Sequence, residues 1–420
     1  MYNVQEKIWK YFVKYEFVGE AMDIKFQKNQ LRKEQNDSPK FLSLPIVEIV
    51  RNFHESFPQY KPTPLANLKT LAKAQGIGGI FVKDESHRFG LNAFKVLGGS
   101  FAIGKYMAKQ LNVDMADLKY NELVADATKQ KLGSLTFATT TDGNHGRGVA
   151  WTAQQLGQKS VVYMPKGTQQ IRLDNIKKLG ADACILDMNY DEAVRYTAQQ
   201  AQEKGWVVVQ DTAWVGYEEI PVGIMQGYGT MAFEALEQLR AVGIEEPTHI
   251  FVQAGVGSMA AAVHGFFANA CVNKPVTVVV EACNTECFYN SIVAGDGQAR
   301  SVGGDLQTIM AGLACGEVNS IAWDILRDGA ELFAVCPDRV AANGMRVLGN
   351  PVGDDPRVVS GESGAVTTGL LYDILSKPEL AWVKEELGLD EQSVVLLFST
   401  EGDTDPVMYR KIVWEGRYHG

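Results

Sequence analysis

Nine short apolar runs rich in β-branched residues, spread along most of a 420-residue chain, constrain the fold more than any other feature of the sequence. They are IFVKDE (80–85), LTFATT (135–140), SVVYMP (160–165), DACILDM (182–188), WVVVQD (206–211), HIFVQAG (249–255), VTVVVEA (276–282), LFAVCP (332–337) and SVVLLFST (393–400). The runs are continuous rather than two-fold alternating, which predicts strands buried on both faces. Helical patterns lie between them, such as DEAVRYTAQQAQEKG (191–205), with an Asp start and a Gly stop. Strand–helix alternation of this kind predicts an α/β fold of mainly parallel sheets flanked by helices. Ligands of such sheets bind at the carboxyl ends of strands, where loops meet helix N-termini.

Charge narrows the partners. Forty basic against fifty acidic side chains give a net charge of −10, so no broad basic field is available for nucleic acid or an anionic membrane. The N-terminal forty residues interleave charges with aromatics and lack the apolar core of a signal peptide. No later run approaches the roughly twenty apolar residues of a membrane helix. A cytoplasmic protein is the expectation. The six cysteines (184, 271, 283, 287, 315, 336) form no CxxC pair and no metal-site spacing, and read as thiols. A bridge among Cys283, Cys287 and Cys315 stays open.

The chemistry-bearing residues cluster at strand–helix junctions. In RFGLNAFKVLGGSFA (88–102), Lys95 follows Phe94 and precedes a small-residue helix start. It is either a helix lysine with its ammonium in solvent, or a buried amine in covalent use. VQAGVGSMAAAVHG (252–265) is a strand, a turn from Gly255 through Val256, Gly257 and Ser258 to Met259, then a helix. Such a turn is a simple βα connection or an anion cradle at a helix N-terminus. It has neither the G-K-[ST] of a Walker loop nor the third glycine of a dinucleotide fingerprint. ATTTDGNHGRGVAW (138–151) offers Asp142, Asn144 and His145, of which at least one is expected to cap the following helix. Asp211 ends a strand, SGESGAV (360–366) is another small-residue helix start that includes Gly361, and Ser399 and Thr400 close the last strand.

Taken together and in order, these motifs resemble the fold type II pyridoxal-phosphate enzymes, the tryptophan-synthase-β and threonine-deaminase group. AFKVLGGSFA is similar to the lysine motif of the group, TTDGNHGRGVAW to its asparagine loop and GVGSM to its phosphate loop. YKPTPL (60–65) and FVKDE (81–85) match its N-terminal pattern. The resemblance spans residues from about 60 to about 402. It implies a two-domain fold with the cofactor, pyridoxal 5′-phosphate, in the interdomain cleft. Residues 102–217 would form the smaller domain, and 1–101 with 218–420 the larger.

The resemblance further implies roles. Lys95 is the Schiff-base lysine with Phe94 beside it, Asn144 faces the ring 3′-oxygen, and Gly255 to Met259 hold the phosphate. Gly361 to Gly364 line the cofactor from the large domain. Thr400 meets the pyridine nitrogen, with Ser399 the alternative, because the SGGN pattern of the group reads STEG here. Where deaminases and serine racemases carry S-S-G-N, this chain has Thr141-Asp142-Gly143-Asn144. Asp142 is then a second base opposite Lys95, able to take the α-proton of the other enantiomer. Asp211 is placed to attract a cationic group on the substrate β-carbon. Within the group, the set resembles the ammonia-lyases that act on 2,3-diaminopropionate, and implies α,β-elimination by a homodimer. Serine or threonine ammonia-lyase is the nearest alternative, and a non-catalytic amino-acid or cofactor-binding sensor is the alternative of another class.

Overall fold

The computed structural model of the protein describes residues 23–33, 38–141 and 143–419. Every apolar run contributes a strand. In chain order the strands are β1 (Lys25–Lys28), β2 (Leu65–Asn67), β3 (Gly79–Asp84), β4 (Thr136–Thr140), β5 (Lys159–Met164), β6 (Asp182–Ile185), β7 (Val207–Val208), β8 (His249–Gln253), β9 (Val276–Ala282), β10 (Leu332–Cys336) and β11 (Val394–Ser399). They divide into a seven-stranded sheet, β1-β10-β9-β8-β11-β3-β2, and a four-stranded sheet, β6-β5-β4-β7. All pairings are parallel except β1 on β10 and β2 on β3, at the two edges of the large sheet.

The register puts β11 between β3 and β8, with Leu396 beside both Phe81 and Ile250. The carboxyl ends of three central strands therefore converge, and β3, β8 and β10 are buried along their whole length. In the small sheet β6 and β7 depart from the expectation of two buried faces: Asp182 and Cys184 are exposed and Val207 and Val208 half-buried. Both are edge strands, covered less than the centre. Strands β1 and β2 are short edge strands without an apolar run.

The segment before Lys95 is fixed by a buried ion cluster. The Arg88 guanidinium reaches Glu85 and Glu234, each at 2.8 Å, and the Lys83 ammonium reaches Glu234 at 2.7 Å. The Thr63 hydroxyl donates to Glu85 at 2.6 Å. After Lys95, the helix Val96–Leu111 is crossed at very short range by the helices Asn144–Gln155 and Glu219–Ala241. A Cβ on Gly148 would lie 2.8 Å from Val96 Cα, and one on Gly227 would lie 2.3 Å from the Leu97 carbonyl oxygen, so only glycine permits either crossing. His54 pins the same helix, contacting the Leu97 carbonyl and the Ser100 hydroxyl at 3.0 Å each. Among the described residues, no helix is long and apolar enough to cross a membrane.

Candidate active site

Lys95 sits at the N-cap of the helix Val96–Leu111, and the Phe94 N–H donates to the Thr400 carbonyl at 3.0 Å. The lysine segment is thus stitched to the end of β11. Asn144 opens the helix after β4, with Gly143 as its N-cap and no side-chain cap, so capping does not account for Asn144 or His145. Lys95 with Phe94, Asn144, Asp211, the loop 255–259 and Thr400 line one cleft of about 840 Å³, counting its open mouth. Of the segment Gly361 to Gly364, Ser363 lines the cleft, whereas Gly361 and Ser399 stand behind that wall: the Gly361 N–H donates to the Glu401 carbonyl at 2.9 Å, and the Ser399 hydroxyl donates to Ser360 at 2.8 Å. Asp142 lies outside the described residues.

The centre of the cleft is an ion pair. The Lys95 Nζ donates to Asp211 Oδ2 at 2.8 Å. Burial by itself pushes the Asp211 carboxyl up, but the Lys95 ammonium outweighs it, with help from the His145 ring 4.0 Å away, and holds the group at about 2. His145 is oriented by its Nε2 contact to the Val209 carbonyl at 2.8 Å. The Ser258 hydroxyl donates to the Asp211 carbonyl at 2.6 Å and accepts from Asn319 Nδ2 at 2.9 Å, which ties the glycine loop to the ion pair.

The residues present fit pyridoxal phosphate. Gly257 adopts φ +92° just ahead of the helix Ser258–Ala270, and a Cβ there would come within 2.3 Å of Phe288 Cζ. The turn therefore keeps its backbone at the head of a helix whose first N–H groups lack intrahelical partners, a cradle for an anion. Two buried polar atoms of residues lining the cleft, Tyr228 Oη and Gln253 Oε1, have no hydrogen-bond partner among the described residues. A polar guest would satisfy them. Away from the cleft, burial pushes the Cys271 and Cys287 thiols up to about 12 and the Cys283 thiol up to about 11.

Several residues of the cleft escape a motif reading. Tyr190, Tyr228 and Gln253 line it, and so does Glu401, whose Oε2 accepts from Asn144 Nδ2 at 2.6 Å. Of these, Gln253 lies in the strand leading into the glycine loop, and Glu401, with Thr400 and Gly402, departs from the SGGN pattern.

A lysine paired with a carboxylate, a glycine cradle at a helix head and an asparagine across the cleft define a pyridoxal-phosphate-dependent enzyme, and a family model described in those words matches residues 57–382. Diaminopropionate ammonia-lyase of Escherichia coli strain K12 is 52% identical over 374 residues, 89% of this chain and 92% of the relative. Two crystal structures of the Escherichia coli enzyme superpose at 48% identity. The complex with D-serine has a TM-score of 0.88 and covers 94% of this chain and 98% of its own. The complex with an aminoacrylate-PLP azomethine reaction intermediate has a TM-score of 0.87 and covers 95% and 99%. The chain belongs to the diaminopropionate ammonia-lyases within the pyridoxal-phosphate-dependent enzyme family.

Proposed function

We propose that the protein converts 2,3-diaminopropionate, in both its D and L forms, to pyruvate and two molecules of ammonia by α,β-elimination. The observation that carries this reading is the Lys95–Asp211 pair: an oxygen that already holds an ammonium at 2.8 Å suits a substrate whose leaving group is one. Lys95 Nζ would hold the cofactor, with the backbone of Gly255 to Met259 at its phosphate, Asn144 at its ring oxygen and the Thr400 hydroxyl at its pyridine nitrogen. When bound, pyridoxal phosphate supplies an electron sink for negative charge at the substrate α-carbon.

The rest falls to the chain. Lys95 Nζ, as a neutral amine, takes the α-proton of one enantiomer, and the Asp142 carboxylate takes it from the other. Asp211 Oδ2 holds the β-ammonium. The β-carbon–nitrogen bond breaks with its electron pair going to nitrogen, so ammonia leaves. The released enamine takes up water to give pyruvate and the second ammonia. The Thr400 hydroxyl, unlike a carboxylate, would leave the pyridine nitrogen largely unprotonated, which favours elimination over transamination. The resemblance to the group also supports a cytoplasmic homodimer in which residues 102–217 close over the substrate as a small domain.

Asp142→Asn is the test of the two-base assignment. Turnover of D-2,3-diaminopropionate should be lost while that of the L-isomer persists, followed as pyruvate release. Full activity of the variant on the D-isomer would remove the basis for the second base.

A further inference from the structure

We propose that Glu401 is a positioning residue, whose carboxylate fixes the Asn144 side-chain amide across the cleft in the orientation that meets the bound cofactor. The proposal rests on the reading of the cleft as the pyridoxal phosphate site.

Glu401 stands on a rigid post. Immediately after β11, its backbone forms an antiparallel bridge with Ala93. Its carbonyl accepts from the Gly361 N–H at 2.9 Å, and the Gly402 N–H donates to the Asn92 carbonyl at 3.1 Å. The residue is 7% exposed. A Cβ at Gly361 would lie 2.9 Å from Glu401 Cγ, so the helix start at 361 leaves the room that this side chain fills. Asn144 heads the helix that follows β4 of the other sheet, 257 residues away in sequence. The contact between them, at 2.6 Å, is therefore a bridge between the two halves of the cleft.

Chemistry makes that bridge directional. An ionised carboxylate only accepts hydrogen bonds, so it selects the amide nitrogen of Asn144 and turns the carbonyl oxygen away. A charge-assisted bond is roughly twice as strong as a neutral one. The amide nitrogen keeps a second hydrogen for a guest. Without the carboxylate, both flips of the amide compete.

The test is a double-mutant cycle on the full chain, reading the dissociation constant of pyridoxal phosphate by fluorescence quenching. Glu401→Gln and Asn144→Ala should each weaken binding about tenfold, the range for a hydrogen bond to a charged group. The double variant should be no weaker than Asn144→Ala alone, because Glu401 acts through Asn144. The visible circular-dichroism band of the bound cofactor should change in Glu401→Gln while the far-ultraviolet spectrum does not. Asn144→Asp, which sets two carboxylates face to face, should bind more weakly than Asn144→Ala when Glu401 is present, and no more weakly in the Glu401→Gln background. This second comparison decides the question if the double variant does not fold, and equal binding by Asn144→Asp and Asn144→Ala beside Glu401 would count against the contact. Additive effects of Glu401→Gln and Asn144→Ala, or an unchanged cofactor band, would overturn the proposal. Failure of the unsubstituted protein to bind pyridoxal phosphate would overturn the cofactor reading, and the proposal with it.

Discussion

The Lys95 ammonium and the Asp211 carboxylate meet at 2.8 Å, although 116 residues separate them. Lys95 heads the helix Val96–Leu111 beside the end of β11, whereas Asp211 follows β7 of the small sheet. The pair therefore joins the two halves of the cleft through opposite charges, and its carboxylate stays ionised across the physiological range because its titration is held at about 2. Removing that charge should separate substrates. Asp211→Asn should lower kcat/KM for 2,3-diaminopropionate about 30-fold, corresponding to about 2 kcal/mol for a severed buried charge pair. The loss with serine, which has no β-ammonium, should be much smaller. Equal losses on both substrates, measured by pyruvate release, would contradict an amine-binding role.

The anion cradle makes a second demand. Gly257→Ala would hold an L-residue at φ +92° and drive its Cβ to 2.3 Å from Phe288 Cζ. Backbone strain of that kind costs roughly 1–3 kcal/mol. The cofactor dissociation constant should rise at least about tenfold with helix content unchanged. Retention of full affinity would show that the turn does not hold the phosphate.

Much of this fold was legible because strands buried in a parallel sheet must be apolar along their whole length. All nine runs contain strands, and the lysine, asparagine and glycine motifs share one cleft because each sits at a strand–helix junction. The edge strands β1 and β2 gave no such signal, since KFQK and LAN carry little apolar surface. Contacts made by topology were illegible for another reason. Nothing local to Arg88 announces Glu234, 146 residues on, and nothing local to Asn144 announces Glu401. Tyr228 looks like one more core aromatic in a buried helix until its hydroxyl is found at the cleft without a hydrogen-bond partner among the described residues.

The Arg88 cluster should reveal its weight when one anion is removed. Glu234→Ala leaves the Arg88 and Lys83 charges buried, with Lys83 losing its carboxylate partner outright. Breaking a buried pair in this way costs about 3–5 kcal/mol, which urea unfolding would read as a lowered midpoint. A change below about 1 kcal/mol would mean that solvent reaches the cluster.

His54 provides a pH signature. Burial, reinforced by the Arg88 charge, takes its ring from 6.5 down to about 3, so it folds as the neutral base. The unfolded chain then binds a proton between those values that the folded chain refuses. The stability that neutral His54 contributes is complete above pH 6.5 and is lost as pH falls toward 3. The stability advantage over His54→Gln should hence shrink by roughly 1.4 kcal/mol per pH unit below that point. A difference that stays constant from pH 7 to pH 5 would contradict a buried neutral ring.

Loading the protein with pyridoxal phosphate, adding L-2,3-diaminopropionate, and measuring ammonia and pyruvate together tests the elimination itself. Two ammonia should appear for each pyruvate, from a reaction that Lys95→Ala abolishes. A loaded protein that releases pyruvate only from serine or threonine, or none at all, would contradict it.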